Sequence, residues 1–409
     1  MKINDKKLKT ETNNKDKKKL SKSKFPKGFL WGVAYSSFQV EGKIENNDWW
    51  RWSEQRKTKD KVGKACNSWN FYKEDHKLAQ DLGCGGFRLS LEWSNIEPEE
   101  GEFSEEALKY YKKVLQNLKK RGMKRVVTLW HWGLPLWFAD RCGWHNKESV
   151  KYFSRYCQKV INELGEEIDI FLTFNEPTIP LNKGYLAGVF PPGKINPWFY
   201  FQARKNMIEA HEKCYRLTKK VFPKMPIGIT QFCNTFETKG FTSFLLDKFQ
   251  DFYNWGFMKK KLDCHDFVGI DYYATFEPHF FPPSLKRKTT KNRWTDIGWG
   301  IYPQGIYNIC LDSYRKFKKP IYIFENGLAD AEDKYRANFI KEHLEKLHQA
   351  IEIGVDIRGY FHWSLLDNFE WNLGYEPKFG LCKVDRKTME RTPRKSYYEY
   401  GKMIKKKRK

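Results

Sequence analysis

Eight apolar segments recur along the chain, and this repetition constrains the fold more than any other feature of the sequence. The segments are apolar throughout rather than alternating, as expected for parallel strands that are buried on both faces. In chain order they are Phe29–Tyr35, Phe87–Leu91, Arg125–His131, Ile168–Asn175, Ile227–Gln231, Phe267–Tyr273, Ile321–Glu325 and Ile357–Trp363.

Helical patterns separate these strands. One predicted helix, Ser104–Arg121, opens with Ser104 as its N-cap and two acidic residues in the first turn. Eight strand–helix repeats without an internal linker predict an α/β fold, a single (β/α)₈ TIM barrel. A doubly wound open sheet is the alternative, but no glycine-rich phosphate loop follows the first strand. The other predicted helices are Tyr72–Leu82, Lys147–Leu164, Phe199–Val221, Phe241–Leu262, Tyr302–Phe317, Glu332–Ile353 and Arg394–Ile404.

Positive charge is concentrated at the two ends of a chain whose net charge is +25. The first 24 residues contain ten lysines and three acidic residues, and residues 402–409 contain six basic ones. We interpret residues 1–24 and 405–409 as basic solvated tails, and residues 25–404 as the barrel domain. A basic surface attracts nucleic acid, but no nucleic-acid module is recognisable, so we expect no nucleic-acid partner.

The nine cysteines show neither a C-x-x-C pair nor metal-ligand spacing, which is typical of reduced thiols in a cytoplasmic protein. No apolar stretch follows the basic N-terminus, so we expect no secretory signal. The longest apolar runs are too short to span a bilayer, so no membrane association is expected. The sequence leaves the oligomeric state open.

Two strand ends carry a carboxylate next to a chain breaker. In the segment 173–177, Glu176 directly precedes Pro177. In the segment 321–327, Glu325 ends the apolar run and directly precedes Asn326 and Gly327. The carboxyl ends of barrel strands form the working face of this fold. Hydrolysis of a glycosidic bond needs two carboxyl groups, and a separation of about 5–5.5 Å gives retention whereas a wider gap gives inversion.

Other strand ends carry residues suited to sugar chemistry. Arg88 is a candidate to keep a carboxylate ionised through a charge-assisted hydrogen bond, and Tyr273 could donate a second one. Side chains that can read hydroxyls or pack against a sugar ring are Gln39, His131, Asn175, Trp363, Glu370 and Trp371. The same strand ends also contain Glu41, Glu92, Trp93 and Asp271, and we expect all these strand-end residues to gather at one rim of the barrel.

The chain resembles glycoside hydrolase family 1, the retaining β-glucosidase and β-galactosidase family, from about Phe25 to Ile404. The motifs that carry the resemblance are FPKGFLWG at 25–32, QVEG at 39–42, FRLS at 87–90, TLWHW at 128–132, FNEP at 174–177, FENG at 324–327 and WSLLDNFEW at 363–371.

This resemblance implies that Glu176 is the acid/base and Glu325 the nucleophile, and that no metal or organic cofactor is needed. It implies that Arg88, Tyr273 and Asn175 support the nucleophile. It further implies that the sugar is bound by Gln39, His131, Asn175, Glu370 and Trp371, with Trp363 as its platform and Phe379 near its 6-position.

The resemblance also bears on the substrate. Relatives that act on 6-phosphorylated sugars have a serine near Glu370, whereas a glutamate would repel phosphate. We therefore expect a small-molecule partner, an unphosphorylated β-D-glucoside, with galactosides and fucosides also accepted. Asp271 stands where the family usually has asparagine, and Phe324 where threonine is common. The stretch between Gln231 and Asp266 looks trimmed, which predicts a pocket more open on the leaving-group side.

Two other functions remain compatible with the residues. A transglycosylase would use a sugar hydroxyl in place of water, and no single residue separates it from a hydrolase. The second alternative is a sugar-binding protein that keeps the barrel but has no catalytic activity. The presence of both carboxylates argues against it.

Overall fold

Parallel strands form the centre of the computed structural model, which describes residues 24–141, 143–237, 243–280 and 283–408. One further segment, Pro283–Arg287, pairs antiparallel with the outer part of the strand Val268–Phe280, which precedes it in the chain. The ten segments of this sheet are β1 (Leu30–Ala34), β2 (Gly86–Ser90), β3 (Lys124–Trp130), β4 (Ile170–Phe174), β5 (Ile227–Gly228), β6 (Thr230–Phe236), β7 (Val268–Phe280), β8 (Pro283–Arg287), β9 (Ile321–Asn326) and β10 (Ile357–Trp363).

The strands follow the order β5-β4-β3-β2-β1-β10-β9-β7-β6. Only Ile229 separates β5 from β6, so the two segments occupy one strand position, and β5 pairs with β4 while β6 pairs with β7. The path therefore closes into a barrel of eight strand positions, and the predicted (β/α)₈ fold is confirmed. The predicted strand ends at Tyr273, whereas β7 continues to Phe280. The outer half of β7 pairs with β8 rather than facing the core, so the apolar pattern used for prediction does not extend to it.

Helices follow the strands on the outside of the barrel. The predicted Phe241–Leu262 helix is shorter than expected: it runs over Ser243–Trp255 and gives way at Gly256 to a 3₁₀ segment, while residues 241 and 242 lie outside the described residues. The other long helices are Ser68–Leu82, Glu105–Lys120, Ser149–Leu164, Pro197–Val221, Gln304–Phe317, Arg336–Glu352 and Lys395–Arg408. Shorter ones are Ser37–Val40, Asp48–Glu54, Trp93–Ile96, Leu136–Asp140 and Thr178–Tyr185.

Two apolar layers hold the barrel together. The interior is filled by side chains such as Val126, Leu172, Phe324 and Phe361, all fully buried. A second, larger layer lies between the strands and the surrounding helices. Phe324 packs 5.4 Å from Phe361, and the guanidinium of Arg88 lies 5.8 Å above the Phe324 ring. The interior layer thus packs directly beneath the polar residues at the strand ends.

The structure describes the two ends of the chain to different extents. The predicted tail of residues 1–24 lies, except for Lys24, outside the described residues. The last helix continues past Ile404 to Arg408, through most of the segment that we interpret as a basic C-terminal tail. Before it, Cys382–Val384 and Arg391–Pro393 form a two-stranded ribbon. Among the described helices, none combines the length and the apolar character that a membrane crossing requires.

Replacing Ser104 with alanine tests the helix start predicted from sequence. The Ser104 hydroxyl accepts a hydrogen bond from the Ala107 backbone N–H at 3.1 Å. Loss of this cap should destabilise the protein by about 1 kcal/mol, measured as a lower urea midpoint. Glu148 is the control, since its side chain makes no capping hydrogen bond to the helix Ser149–Leu164. An equal effect of Glu148→Ala would contradict the assignment.

Candidate active site

The carboxyl ends of the strands surround one cavity of about 710 Å³. Strand register sets its floor, because Asp271 of β7 lies opposite Glu325 of β9, and Ala34 of β1 lies opposite Trp363 of β10. The predicted site residues that line the cavity are His131, Asn175, Glu176, Tyr273, Glu325, Trp363, Glu370, Trp371 and Phe379. Gln39, Arg88 and Asp271 lie behind this lining.

Glu325 is held by two donors. Arg88 Nη1 donates to Glu325 Oε1 at 2.5 Å, and the Tyr273 hydroxyl donates to Oε2 at 2.7 Å. Burial raises the pKa of Glu325, while the Arg88 charge and both hydrogen bonds oppose this shift. Each oxygen thus has a donor that stabilises the ionised form, as an attacking carboxylate requires.

Glu176 has the opposite environment. Its side chain is 4% exposed, and Oε1 has no hydrogen-bond partner among the described residues. Burial raises the pKa of Glu176 well above its usual value, and the negative charges of Glu325 and Asp271 raise it further. Its backbone N–H donates to Thr230 on the neighbouring strand position, which fixes the chain where the strand ends. The environment of Glu176 favours the protonated acid.

Asp271 brings a third carboxyl group into the same place. One oxygen from each of Glu176, Asp271 and Glu325 lies within 4.8 Å of the other two. No donor among the described residues satisfies either oxygen of Asp271, which is fully buried. Burial and then the charge of Glu325 raise the pKa of Asp271 well above its usual value. One guanidinium, Arg88, cannot neutralise three carboxylates, so the cluster retains protons near neutral pH.

This trio is also the one group of described residues with the spacing to hold a metal ion. Arg88 already donates to Glu325 from within the cluster. A cation bound there would face that guanidinium charge, so the arrangement favours protons over a metal.

Asn175 links the two halves of the site. Its side-chain oxygen accepts hydrogen bonds from Arg88 and from Thr230, the latter at 2.9 Å. Its amide group donates to His131 Nε2 at 3.1 Å. Burial and the Arg88 charge lower the pKa of His131 well below its usual value, so the ring is neutral and can accept this bond. The Asn175 side chain is therefore held between Arg88 and His131.

One side of the cavity, hereafter the far wall, combines aromatic rings with a carboxyl group and is formed by His131, Trp363, Glu370 and Trp371. The His131 ring lies nearly parallel to both Trp363 and Trp371, with 5.9 Å between centroids in each case. Gln39 donates to the Phe369 carbonyl at 2.8 Å and lies 3.4 Å from Glu370 Oε2. Burial and the charge of Glu325 raise the pKa of Glu370 to about 8, whereas Lys183 opposes this shift.

Comparison with known proteins agrees with this geometry. The family model for glycosyl hydrolase family 1 matches residues 21–240 and 259–409. The chain belongs to glycosyl hydrolase family 1. It is a β-glucosidase-like O-glycosyl hydrolase.

Named relatives in this family cover nearly the whole chain. A β-galactosidase of Pyrococcus woesei is 30% identical over 488 residues, covering 90% of this chain and 94% of that protein. β-Glucosidase A of Thermotoga maritima is 30% identical over 436 residues, covering 93% and 98%. A solved β-glycosidase from Pyrococcus horikoshii has 35% identity and a TM-score of 0.86, covering 94% of this chain and 95% of that one.

Two predicted strand-end carboxylates of this family 1 hydrolase lie away from the cavity. Glu41 accepts a hydrogen bond from the Tyr111 hydroxyl at 2.9 Å. Glu92 accepts from Asn47 at 3.0 Å and from the Ser94 hydroxyl at 2.8 Å. The expectation that all polar strand ends gather at the site is therefore wrong for this pair, which ties together the loops after β1 and β2.

Three residues near the site were not singled out from sequence. Trp132 donates from Nε1 to the Asn175 carbonyl at 3.0 Å, and it directly follows His131 in a motif already noted. Thr230 bonds to Asn175 and to the Glu176 backbone. Trp299 lines the cavity from the loop after β8, where no local pattern marks it.

Replacing Gly327 with alanine tests how closely β9 and β10 must approach below the site. A Cβ at Gly327 would lie 1.6 Å from the Trp363 carbonyl oxygen. We expect a loss of roughly 1–3 kcal/mol of stability, read as a lower melting temperature, together with reduced activity as Trp363 is displaced.

Gly401→Ala is the matched control, because a Cβ there meets nothing closer than 3.4 Å. Gly401 lies inside the last helix, where alanine is favoured by up to about 1 kcal/mol. A Gly327 variant as stable as the Gly401 variant would contradict the proposed close approach.

Proposed function

We propose that this family 1 hydrolase is a retaining exo-β-glycosidase that acts on unphosphorylated β-D-glucosides, with galactosides and fucosides also accepted. The observation that carries the proposal is the separation of Glu176 and Glu325, which have carboxylate oxygens within 4.8 Å of each other. This spacing suits direct attack on the sugar and leaves too little room for the water that an inverting mechanism needs.

In the first step, the ionised Glu325 attacks the anomeric carbon, and a glycosyl ester forms as the glycosidic bond breaks. Glu176 gives its proton to the departing oxygen, so the leaving group departs as a neutral alcohol. Arg88 and Tyr273 support the ionised Glu325 before attack. The raised pKa of Glu176 keeps its proton available at neutral pH.

In the second step, water replaces the alcohol. Formation of the ester removes the negative charge of Glu325, which is one cause of the raised pKa of Glu176. The pKa of Glu176 therefore falls, and its carboxylate can take a proton from the attacking water. Hydrolysis of the ester restores Glu325 and releases the sugar with its original anomeric configuration.

The sugar specificity rests on the far wall of the cavity. Glu370 and Asn175 can pair with hydroxyls, and Trp363 and Trp371 offer faces to the sugar C–H groups. The Glu370 carboxyl group offers no positive charge to a phosphate group, and its ionised form would repel one, which supports an unphosphorylated substrate. A solved T. maritima β-glucosidase in complex with deoxynojirimycin, 29% identical, has a TM-score of 0.85, which supports glucosides as the first class to test.

We also propose a cytoplasmic location. Seven of the described cysteines are free and buried, which supports a reducing compartment; they are Cys66, Cys157, Cys214, Cys233, Cys264, Cys310 and Cys382.

Glu325→Ala and Glu176→Ala should differ in their dependence on the leaving group. Glu325→Ala should lose at least about 10⁴-fold in kcat on every glycoside, because no ester forms. Glu176→Ala should lose about 10²–10⁴-fold in kcat/KM on methyl β-glucoside, yet much less in kcat/KM on 2,4-dinitrophenyl β-glucoside, whose phenolate leaves without a proton. Kinetics with both substrates measure this. Equal losses of Glu176→Ala on the two glucosides would contradict the acid role.

Asp271→Asn should shift the alkaline limb of the kcat/KM profile to lower pH. That limb reports loss of the proton from Glu176, and the negative charge of Asp271 raises the pKa of Glu176. Asparagine carries no charge, so Glu176 should lose its proton at lower pH. Asp356→Asn, an exposed change at the opposite end of the barrel, is the control. An unchanged or upward-shifted limb in Asp271→Asn would show that Asp271 does not act on Glu176.

A further inference from the structure

The helix Ser243–Trp255 lies in the one internal stretch, residues 241–258, that the family model leaves unmatched. It is nevertheless firmly attached to the barrel. Asn254 accepts a hydrogen bond from the Asn234 N–H at 3.1 Å and donates to the Asn234 carbonyl at 2.8 Å. Gln250 accepts from the Phe236 N–H at 2.7 Å. The helix is thus a fixed wall beside β6, in a stretch that the family model does not match.

This helix turns apolar side chains toward the cavity. Leu246, Phe249 and Tyr253, spaced three and four residues apart, all line it. The Phe249 and Tyr253 rings lie 5.3 Å and 5.7 Å from the ring of Phe236. Phe276 stacks on the other side of Phe236 at 5.7 Å. Together, Phe236, Leu246, Phe249, Tyr253 and Phe276 form a continuous surface, hereafter the apolar wall.

The apolar wall is continuous with the catalytic centre. Phe232 and Phe236 lie on the same face of β6, and Phe232 stacks 5.8 Å from Tyr273, which donates to Glu325. Tyr253 and Glu176 line the same cavity, and burial and then the charge of Glu176 raise the pKa of Tyr253 to about 12. Glu370 and Trp371 occupy the sugar side of the cavity. The apolar wall therefore lies on the side from which the leaving group departs.

The wall offers little to a second sugar. Each sugar hydroxyl loses its water on binding and needs both a donor and an acceptor in exchange. Among the described residues at this end of the cavity, the polar groups are Asn234, Arg287 and the Tyr253 hydroxyl, and Arg287 already donates to the Gly298 carbonyl at 2.9 Å. An alkyl chain needs no such partners and gains from every methylene removed from water.

We propose that the apolar wall is a subsite for a large apolar aglycone, so that the preferred substrates are β-glycosides of long-chain alcohols. This inference rests on the proposed function and names its leaving group. The bond from the anomeric carbon to the alkyl oxygen breaks as Glu325 forms the ester, and the oxygen takes the proton of Glu176. The products are the free alcohol and, after water enters, the sugar.

A series of alkyl β-glucosides below their micelle concentrations tests the proposal. From methyl through butyl and hexyl to octyl glucoside, kcat/KM should rise by up to about fourfold for each methylene that the wall buries. Cellobiose should fall well below octyl glucoside. A flat series, or cellobiose exceeding octyl glucoside, would overturn the proposal while leaving the β-glycosidase function intact.

Variants on one helix locate the subsite. Phe249 and Phe252 are similarly exposed, at 50% and 57%, but only Phe249 lines the cavity. Phe249→Ser should lower the octyl-to-methyl ratio of kcat/KM by about tenfold or more, whereas Phe252→Ser should keep the wild-type ratio. Equal ratios in the two variants would place the chain preference elsewhere and overturn the proposal.

A binding experiment separates this inference from the proposed function. Octyl and methyl β-D-thioglucosides carry sulfur at the glycosidic position and resist cleavage, so calorimetry reports their affinity whether or not hydrolysis occurs. The octyl compound should bind at least about a hundredfold more tightly to the wild-type protein, and Phe249→Ser should reduce this margin. Tighter octyl binding without hydrolysis of any glucoside would support the subsite and refute the proposed function. Equal affinities would refute the subsite.

Discussion

The ion pair between Arg88 and Glu325, buried inside a closed barrel, is the interaction on which the site depends. Both side chains are almost fully buried, at 1% and 5% exposure, so neither charge could remain there without the other. The pair opposes the rise in the pKa of Glu325 that burial causes, whereas burial and then the charge of Glu325 raise the pKa of Glu176. One contact therefore pushes the pKa values of two chemically identical groups in opposite directions.

Barrel closure makes this contact possible. Arg88 lies in the middle of β2 and Glu325 lies near the end of β9, and the two are brought together across an interior filled by Phe324 and its neighbours. The arginine lies over the Phe324 ring, which excludes water below the charge. The low polarity of that floor strengthens the ion pair and also accounts for the raised pKa values of Glu176 and Asp271.

Prediction from sequence succeeded for residues whose position in the fold is already visible in the local pattern of apolar and charged residues. The eight strands were recognisable because parallel barrel strands are apolar on both faces. Arg88, Glu176 and Glu325 stood out because charged groups are costly at the end of such strands. Glu41 was misplaced by the same rule: its carboxylate is satisfied by Tyr111, a partner from a distant helix. Trp299 was missed because loop residues carry no periodicity.

The sequence by itself determined the barrel, the two carboxylates and their positions at strand ends, since these follow from hydrophobic periodicity and from the cost of burying charge. Only the tertiary structure decided which carboxylate receives two donors that favour its ionised form, because those donors come from distant strands. It also decided that Asp271 joins the pair and that Phe249 faces the cavity while Phe252 faces outward. Those outcomes depend on strand register and helix rotation, which local sequence patterns do not specify.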